Sequence, residues 1–175
     1  VLRALAQVDP EDVSMRALGE RLQQGTDDER PALLIKVLAS DTSASIRRVA
    51  AWGLQQYAEQ PAAGRALGEA LQRDRDARVR EMAAWALGGG DDVPEVRAAL
   101  TGALQQDGDS EVRESAAWAL GSIGAEGVDD ALVAALGDKS PGVRAAAIWA
   151  LGTAGRGTDP RAVVDAFGDS DRQVR

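Results

Sequence analysis

A ten-residue segment, written four times over, constrains this chain more than any other feature. Val79-Arg80-Glu81-Met82-Ala83-Ala84-Trp85-Ala86-Leu87-Gly88 returns as Val112-Arg113-Glu114-Ser115-Ala116-Ala117-Trp118-Ala119-Leu120-Gly121. It returns again as Val143-Arg144-Ala145-Ala146-Ala147-Ile148-Trp149-Ala150-Leu151-Gly152. An earlier copy runs Ile46-Arg47-Arg48-Val49-Ala50-Ala51-Trp52-Gly53-Leu54, and a last one starts at Val174-Arg175. The branched aliphatic residue stands at 46, 79, 112, 143 and 174, in steps of 33, 33, 31 and 31. One more step of 33 back from Ile46 reaches Val13, where Val13 to Leu22 is a degenerate copy with Ser14 and Gly19 replacing the Arg and the Trp. A fixed period of this size means stacked units, none of which can bury its apolar face alone.

Each copy reads as a helix. Counting from Val79, the small and apolar residues Met82, Ala83, Ala86 and Leu87 form one stripe at 3.6-residue spacing. Alanine also favours helix intrinsically. Ser43, Asp76, Asp109, Ser140 and Asp171 precede the copies as N-caps, and Pro141 sits at the first helical position, where proline is tolerated. Gly88, Gly121 and Gly152 are expected to close the helices as left-handed C-caps. A second, shorter apolar helix fills each interval: Ala32 to Leu38, Ala66 to Leu71, Ala99 to Leu104, Leu132 to Leu136, and Ala162 to Phe167 behind Asp159-Pro160. No stretch alternates with period two, so no strands are expected.

The fold predicted is therefore all-α, a right-handed α-solenoid of about five and a half helix pairs. The chain is one array over 1–175, divided at 1–24 (degenerate), 28–58, 62–90, 93–123, 126–155 and 159–175 (truncated). Alanine at so many stripe positions lets helices approach toward the ~8 Å end of the usual range. Each buried Leu or Val contributes about 1.5–3 kcal/mol. A start at Val1 without Met and a last residue, Arg175, inside an expected helix predict a piece of a longer polypeptide.

Composition then excludes whole classes of chemistry. The 175 residues contain no Cys and no His, which removes disulfides, thiolate nucleophiles, Cys/His metal sites and any Ser-His triad. No metal or cofactor site is expected. Asp107-Gly108-Asp109-Ser110-Glu111 has the look of a calcium loop, but its twelfth position is Trp118, not Glu. Gly88-Gly89-Gly90 follows no strand and precedes no Gly-Lys-Ser/Thr, so it is no phosphate loop. A net charge of −8 disfavours nucleic acid. No apolar run approaches a membrane span, and no targeting segment is visible. Absent cysteine fits a reducing compartment, which makes a cytoplasmic location the expectation.

The pattern Asp-x-x-x-x-Val-Arg-x-x-Ala-Ala-x-Ala-Leu-Gly resembles HEAT repeats, of the short bilin-lyase-like (PBS-lyase) subclass. Asp74 to Gly88 and Asp107 to Gly121 match throughout, and Asp138 to Gly152 departs only at Ile148. The resemblance covers Arg30 to Arg175 and implies the fold more than a function, because such repeats scaffold many unrelated proteins. HEAT-type hydroxylases use His-Glu iron ligands, which a chain without His cannot supply.

Two residue series stand out within the repeats. Asp41/Arg47, Asp74/Arg80, Asp107/Arg113, Asp138/Arg144 and Asp169/Arg175 are each six residues apart. A carboxylate at the turn and a guanidinium one turn into the next helix can pair within a repeat or across to the next. One pair per junction is expected to form a structural ladder; the alternative is an Arg row for phosphates or carboxylates. Trp52, Trp85, Trp118 and Trp149 each lie six residues after the branched aliphatic. That is about 240° round the helix, while the core stripe centres near 20–40°. By similarity to HEAT arrays this second helix lines the concave surface, with successive Trp one repeat, about 10 Å, apart. The rings either cover the seam between neighbouring helices or form an aromatic row in an open groove, and both hold if one ring face is exposed.

The same helical wheel adds Arg48, Val49 and Gln56; Glu81, Met82 and Gly89; Glu114, Ser115 and Ser122; Ala145, Ala146 and Thr153. They differ between copies while the scaffold positions do not, as a specificity surface requires. The function expected is a non-catalytic, monomeric scaffold that binds a peptide or partner protein on the concave face. Alternatives are a bilin-lyase-like subunit holding a tetrapyrrole, and a purely structural spacer.

Overall fold

The computed structural model describes residues 10–24, 26, 29–154, 168, 169, 171 and 174. Among them are nine α-helices, one 3-10 turn and no strand. They are α1 (Pro10–Gln24), α2 (Glu29–Ser40), α3 (Ala44–Leu54), α4 (Pro61–Arg73), α5 (Ala77–Leu87), α6 (Pro94–Gln106), α7 (Ser110–Ser122), α8 (Asp129–Ala135) and α9 (Pro141–Ala154). The 3-10 turn, Gln55–Tyr57, prolongs α3. The degenerate copy at Val13 to Leu22 lies within α1. The expected helix at Ala162 to Phe167 lies outside the described residues, as does Arg175.

Two layers build the array. Helices α2, α4, α6 and α8 pack successively on one another, and α1, α3, α5, α7 and α9 do the same beside them. Within a repeat, α2 pairs with α3, α4 with α5, α6 with α7 and α8 with α9. The four branched aliphatics Ile46, Val79, Val112 and Val143 are all fully buried between the layers. Ala84 and Ala117 are buried too, although they lie well off the stripe read from the sequence. The reason is that α5 and α7 each meet a neighbour on either side as well as a pair-mate, so more than one stripe is covered. Only small side chains fit those flanks.

Helix starts follow local chemistry. Ser43, Asp76 and Asp109 accept hydrogen bonds from the backbone N–H of Ile46, Arg78 and Glu111. Pro61 and Pro94 open α4 and α6. Two expectations fail. The intervening helices are not the shorter ones, since α4 and α6 have 13 residues against 11 for α5. Only α8, with 7, is short. Nor are the motif glycines left-handed caps. Gly88 has φ −64°, Gly121 and Gly152 lie inside α7 and α9, and positive φ among the described residues occurs only at Gly124 and Gly127.

What Gly88 and Gly121 supply is space. A Cβ on Gly88 would stand 2.5 Å from the Trp118 ring, and one on Gly121 would stand 2.7 Å from the Ala150 backbone and 2.8 Å from the Trp149 ring. The glycine of one repeat is thus the seat for the tryptophan of the next. No described atom lies within 4 Å of a Cβ placed on Gly152.

Candidate functional site

At the turn end of the array, Arg47, Arg80, Arg113 and Arg144 each join two repeats. Arg47 donates from Nε and Nη2 to the two carboxylate oxygens of Asp74, at 2.7 and 2.8 Å. Arg80 does the same to Asp107 at 2.8 and 3.0 Å, and Arg113 to Asp138 at 2.8 and 2.9 Å. Arg144 reaches Asp169 at 2.6 and 2.8 Å. The third arm, Nη1, donates at 2.9 Å to the backbone carbonyls of Asp41, Asp74, Asp107 and Asp138, each in the arginine's own repeat. Each of those carboxylates also accepts from the N–H two residues on, so one aspartate shapes its turn and receives the preceding arginine. The pairing therefore runs across repeats. Asp41 stands at the start of the series, and the position that would supply its arginine is Ser14.

Arg47 and Arg113 are only 5% and 6% exposed. Planar, bidentate geometry offsets the cost of burying such charges. Burial pushes the carboxyls of Asp74 and Asp107 up, yet the hydrogen bonds from Arg47 and Arg80 and from the Asp76 and Asp109 N–H groups hold both below the ordinary range. At Asp138 the Arg113 hydrogen bond is the largest influence, and its carboxyl is lowered as well.

The Trp-bearing layer is different in each repeat. Trp52 is 60% exposed, Trp149 42% and Trp85 37%, while Trp118 is half-buried. The Trp118 and Trp149 rings stack with centroids 6.0 Å apart and 11° between their planes. This is well under the ~10 Å that helix spacing alone would set, because both rings lean along the array onto glycine. Trp118 has Gly88 against its Cζ3–Cε3 edge and is stacked with Trp149. Trp52 has no glycine seat; the equivalent residue is Leu22. Leu22, Gln23, Arg30, Leu34, Val49, Trp52, Gly53, Gln56 and Tyr57 line a depression of about 270 Å3.

The remaining candidates are all at least partly accessible. Arg48, Gln56, Gly89, Ser122 and Thr153 are exposed, and Val49, Met82, Ser115, Ala145, Ala146, Glu81 and Glu114 are half-buried. Ser122 and Thr153 are tied into the seam. Ser122 Oγ donates to the Gly88 carbonyl at 2.8 Å, and Thr153 Oγ1 donates to the Ala150 carbonyl at 2.9 Å and the Gly121 carbonyl at 3.5 Å. Burial raises the Glu81 and Glu114 carboxyls, reinforced by Glu111 at both and by Asp109 at Glu81. Arg48 and Arg78 partly counter this at Glu81. Neither glutamate makes a hydrogen bond or ion pair with a described residue. The Glu114 carboxylate lies directly against Gly142.

Sequence reasoning missed two features. One is the contribution of Leu22, Arg30 and Tyr57 to the Trp52 depression; its only signal was Tyr57, the one tyrosine of the chain. The other is a second tie between repeats. Arg97 holds Asp92 at 2.7 and 2.8 Å, and Asp92 accepts the N–H of Glu126 at 3.2 Å. It occurs at one junction, so no repetition announced it.

The family of HEAT repeats matches the chain over residues 31–121, 64–152 and 98–175. No curated protein sequence matches significantly. Among solved structures, the complex of CpcE and CpcF of phycocyanin lyase from Nostoc sp. PCC7120 matches with a TM-score of 0.71 and 27% identity. The match covers 82% of this chain and 60% of that one, so this chain spans less than two thirds of that subunit's length. A designed armadillo repeat protein in complex with the peptide (KR)4 matches with a TM-score of 0.65 at 20% identity, covering 96% and 91% of the two chains. Human deoxyhypusine hydroxylase matches with a TM-score of 0.53 at 23% identity, covering 85% and 71%. The last two likenesses concern the fold alone.

Proposed function

The chain belongs to the HEAT-repeat family, and from that premise we propose that it is a non-catalytic, monomeric scaffold. It binds a peptide or partner protein on the layer of α3, α5, α7 and α9, the concave face of the array. One observation carries this reading: three large aromatic rings, Trp52, Trp85 and Trp149, stand exposed on a single helix layer. Burying an aromatic ring is strongly favourable, and exposed Trp is what protein interfaces are enriched in. The half-buried residues around the rings vary between repeats, while the Asp–Arg ladder keeps every helix in the same position. A fixed frame with a variable face is a specificity surface.

Selection from a displayed peptide library tests it, with the triple variant Trp52→Ala/Trp85→Ala/Trp149→Ala as counter-target. Peptides that hold the native protein and release the variant are expected. Peptides that bind both equally would move the site off this layer. If no peptide is selected and the triple variant is merely less stable, the chain is a spacer and the scaffold reading ends.

A second reading has support of its own. The likeness to a phycocyanin lyase complex, with the depression beside Trp52, favours a subunit that holds a tetrapyrrole against an aromatic face. Mixing the protein with a free bilin should then shift the pigment's absorbance and quench Trp emission, and Trp52→Ala should abolish both changes. An unaltered pigment spectrum would dismiss this reading.

A further inference from the structure

Within the scaffold reading, on which this inference rests, the charges of the Trp-bearing layer describe a ligand. The residue four positions before each tryptophan lies on the same face one turn away. In α3 that residue is Arg48, in α5 Glu81, in α7 Glu114 and in α9 Ala145. The array therefore runs from a positive repeat, through two negative ones, to a neutral one.

Every motif aspartate that receives a ladder arginine is neutralised by it, whereas Glu81 and Glu114 have no hydrogen-bonded or ion-paired partner among the described residues. Glu111 and Asp109 add to the negative field around them, and Arg48 and Arg78 offset it at Glu81 only. A guanidinium set between Glu81 and the exposed Trp85 indole gains a carboxylate on one side and a ring face on the other. At α3 the chemistry changes. Arg48 repels a cation there, and the depression beside Trp52 is walled by Leu22, Leu34 and Val49.

We propose that this layer binds an extended basic peptide, with one apolar side chain in the Trp52 depression, one arginine over Glu81–Trp85 and a second at the Glu114 carboxylate. Repeats stack at about 10 Å and a peptide in the polyproline II form advances about 3.1 Å per residue with three residues per turn, so anchor and arginines fall roughly three residues apart on one side of it.

Fluorescein-labelled Leu-Ser-Ser-Arg-Ser-Ser-Arg and its reversed sequence are the probes, read by anisotropy at low and high salt. One of the two should bind saturably. Glu81→Gln/Glu114→Gln should weaken it roughly tenfold and flatten its salt dependence. That variant should melt no lower than the native protein, because it removes half-buried charges that have no partner. Trp52→Ala should matter for the leucine probe and not for one with serine in its place.

Equal binding by a peptide with both arginines changed to glutamate, or an affinity indifferent to the double variant, overturns the proposal. If Trp52→Ala/Trp85→Ala/Trp149→Ala still abolishes such charge-blind binding, the scaffold reading stands without it. Failure of both probes to bind also overturns the proposal, and the library selection then judges the scaffold reading separately.

Discussion

Two seams join the same repeats, and they behave differently. At the turn end, four arginines make the same bidentate bond to the next repeat's aspartate, between 2.6 and 3.0 Å. Along the Trp-bearing layer, the seam is not uniform. Trp118 and Trp149 sit on Gly88 and Gly121 and stack on each other. Trp85 and Trp52 follow repeats in which the same position is Gln55 and Leu22, and Trp52 is left the most exposed of the four. One seam sets the stacking of repeats by charge and hydrogen-bond geometry. The other is thereby free to vary its side chains, and only a free surface can acquire specificity.

Acid is the broadest way to break the uniform seam. Asp74, Asp107 and Asp138 are held below their ordinary range, so the unfolded chain takes up protons before the folded one does. Their stabilisation is fully present above the unfolded carboxylate range of about 4 and is lost as pH falls through the folded values. Thermal denaturation followed by circular dichroism should show a falling midpoint below about pH 4. Protonation of Glu81 and Glu114, whose carboxyls are raised, acts in the opposite sense. The check is therefore made in Glu81→Gln/Glu114→Gln, where a level midpoint would mean the pairs add nothing to stability.

A single break comes next. Arg113→Ala leaves the Asp138 carboxylate without its partner in the middle of the array and should cost about 3–5 kcal/mol in urea unfolding. Because stability in a solenoid is carried by neighbouring interfaces, the transition should also broaden or split. A loss under about 1 kcal/mol would place this pair with ordinary surface bridges.

The variable seam offers smaller and more local tests. Gly121→Ala brings a methyl against the Ala150 backbone, which cannot yield easily, and should cost about 1–3 kcal/mol. Gly88→Ala meets the edge of the Trp118 ring most closely, with the Trp85 carbonyl at 3.2 Å, and should cost less because the ring can shift, with Trp118 emission moving to the red. Reversal of that order would mean the rings, not the backbones, limit the approach.

The smallest expected effect sharpens the comparison most. Gln55→Gly gives Trp85 the kind of seat that Trp118 has, and should shift Trp85 emission to the blue and slow its quenching by acrylamide. The measurement uses a variant with the other three tryptophans changed to Phe. Unchanged quenching would mean that glycine alone does not bring the ring down.

The legible part of this molecule is the part that repeats. Val79, Val112 and Val143 marked the buried line because the same residue type recurred at one interval, and Asp76 and Asp109 marked helix starts because capping is local chemistry. The glycines misled. At a helix end glycine has two uses, a left-handed turn and a close approach, and the φ of Gly88 and its distance to Trp118 separate them. The depression beside Trp52 was hidden because it gathers Leu22, Arg30 and Tyr57 from α1, α2 and the turn after α3, at separations that are not the repeat period.

The sequence by itself determined the helical unit and its apolar line, carried by residues within one or two turns of one another, and the period and the charged residue types, carried by their recurrence. Tertiary stacking decided which aspartate each arginine takes, which tryptophans are covered and which stand open. Those outcomes depend on the residue that the neighbouring repeat presents some thirty positions away, and on whether that residue has a Cβ.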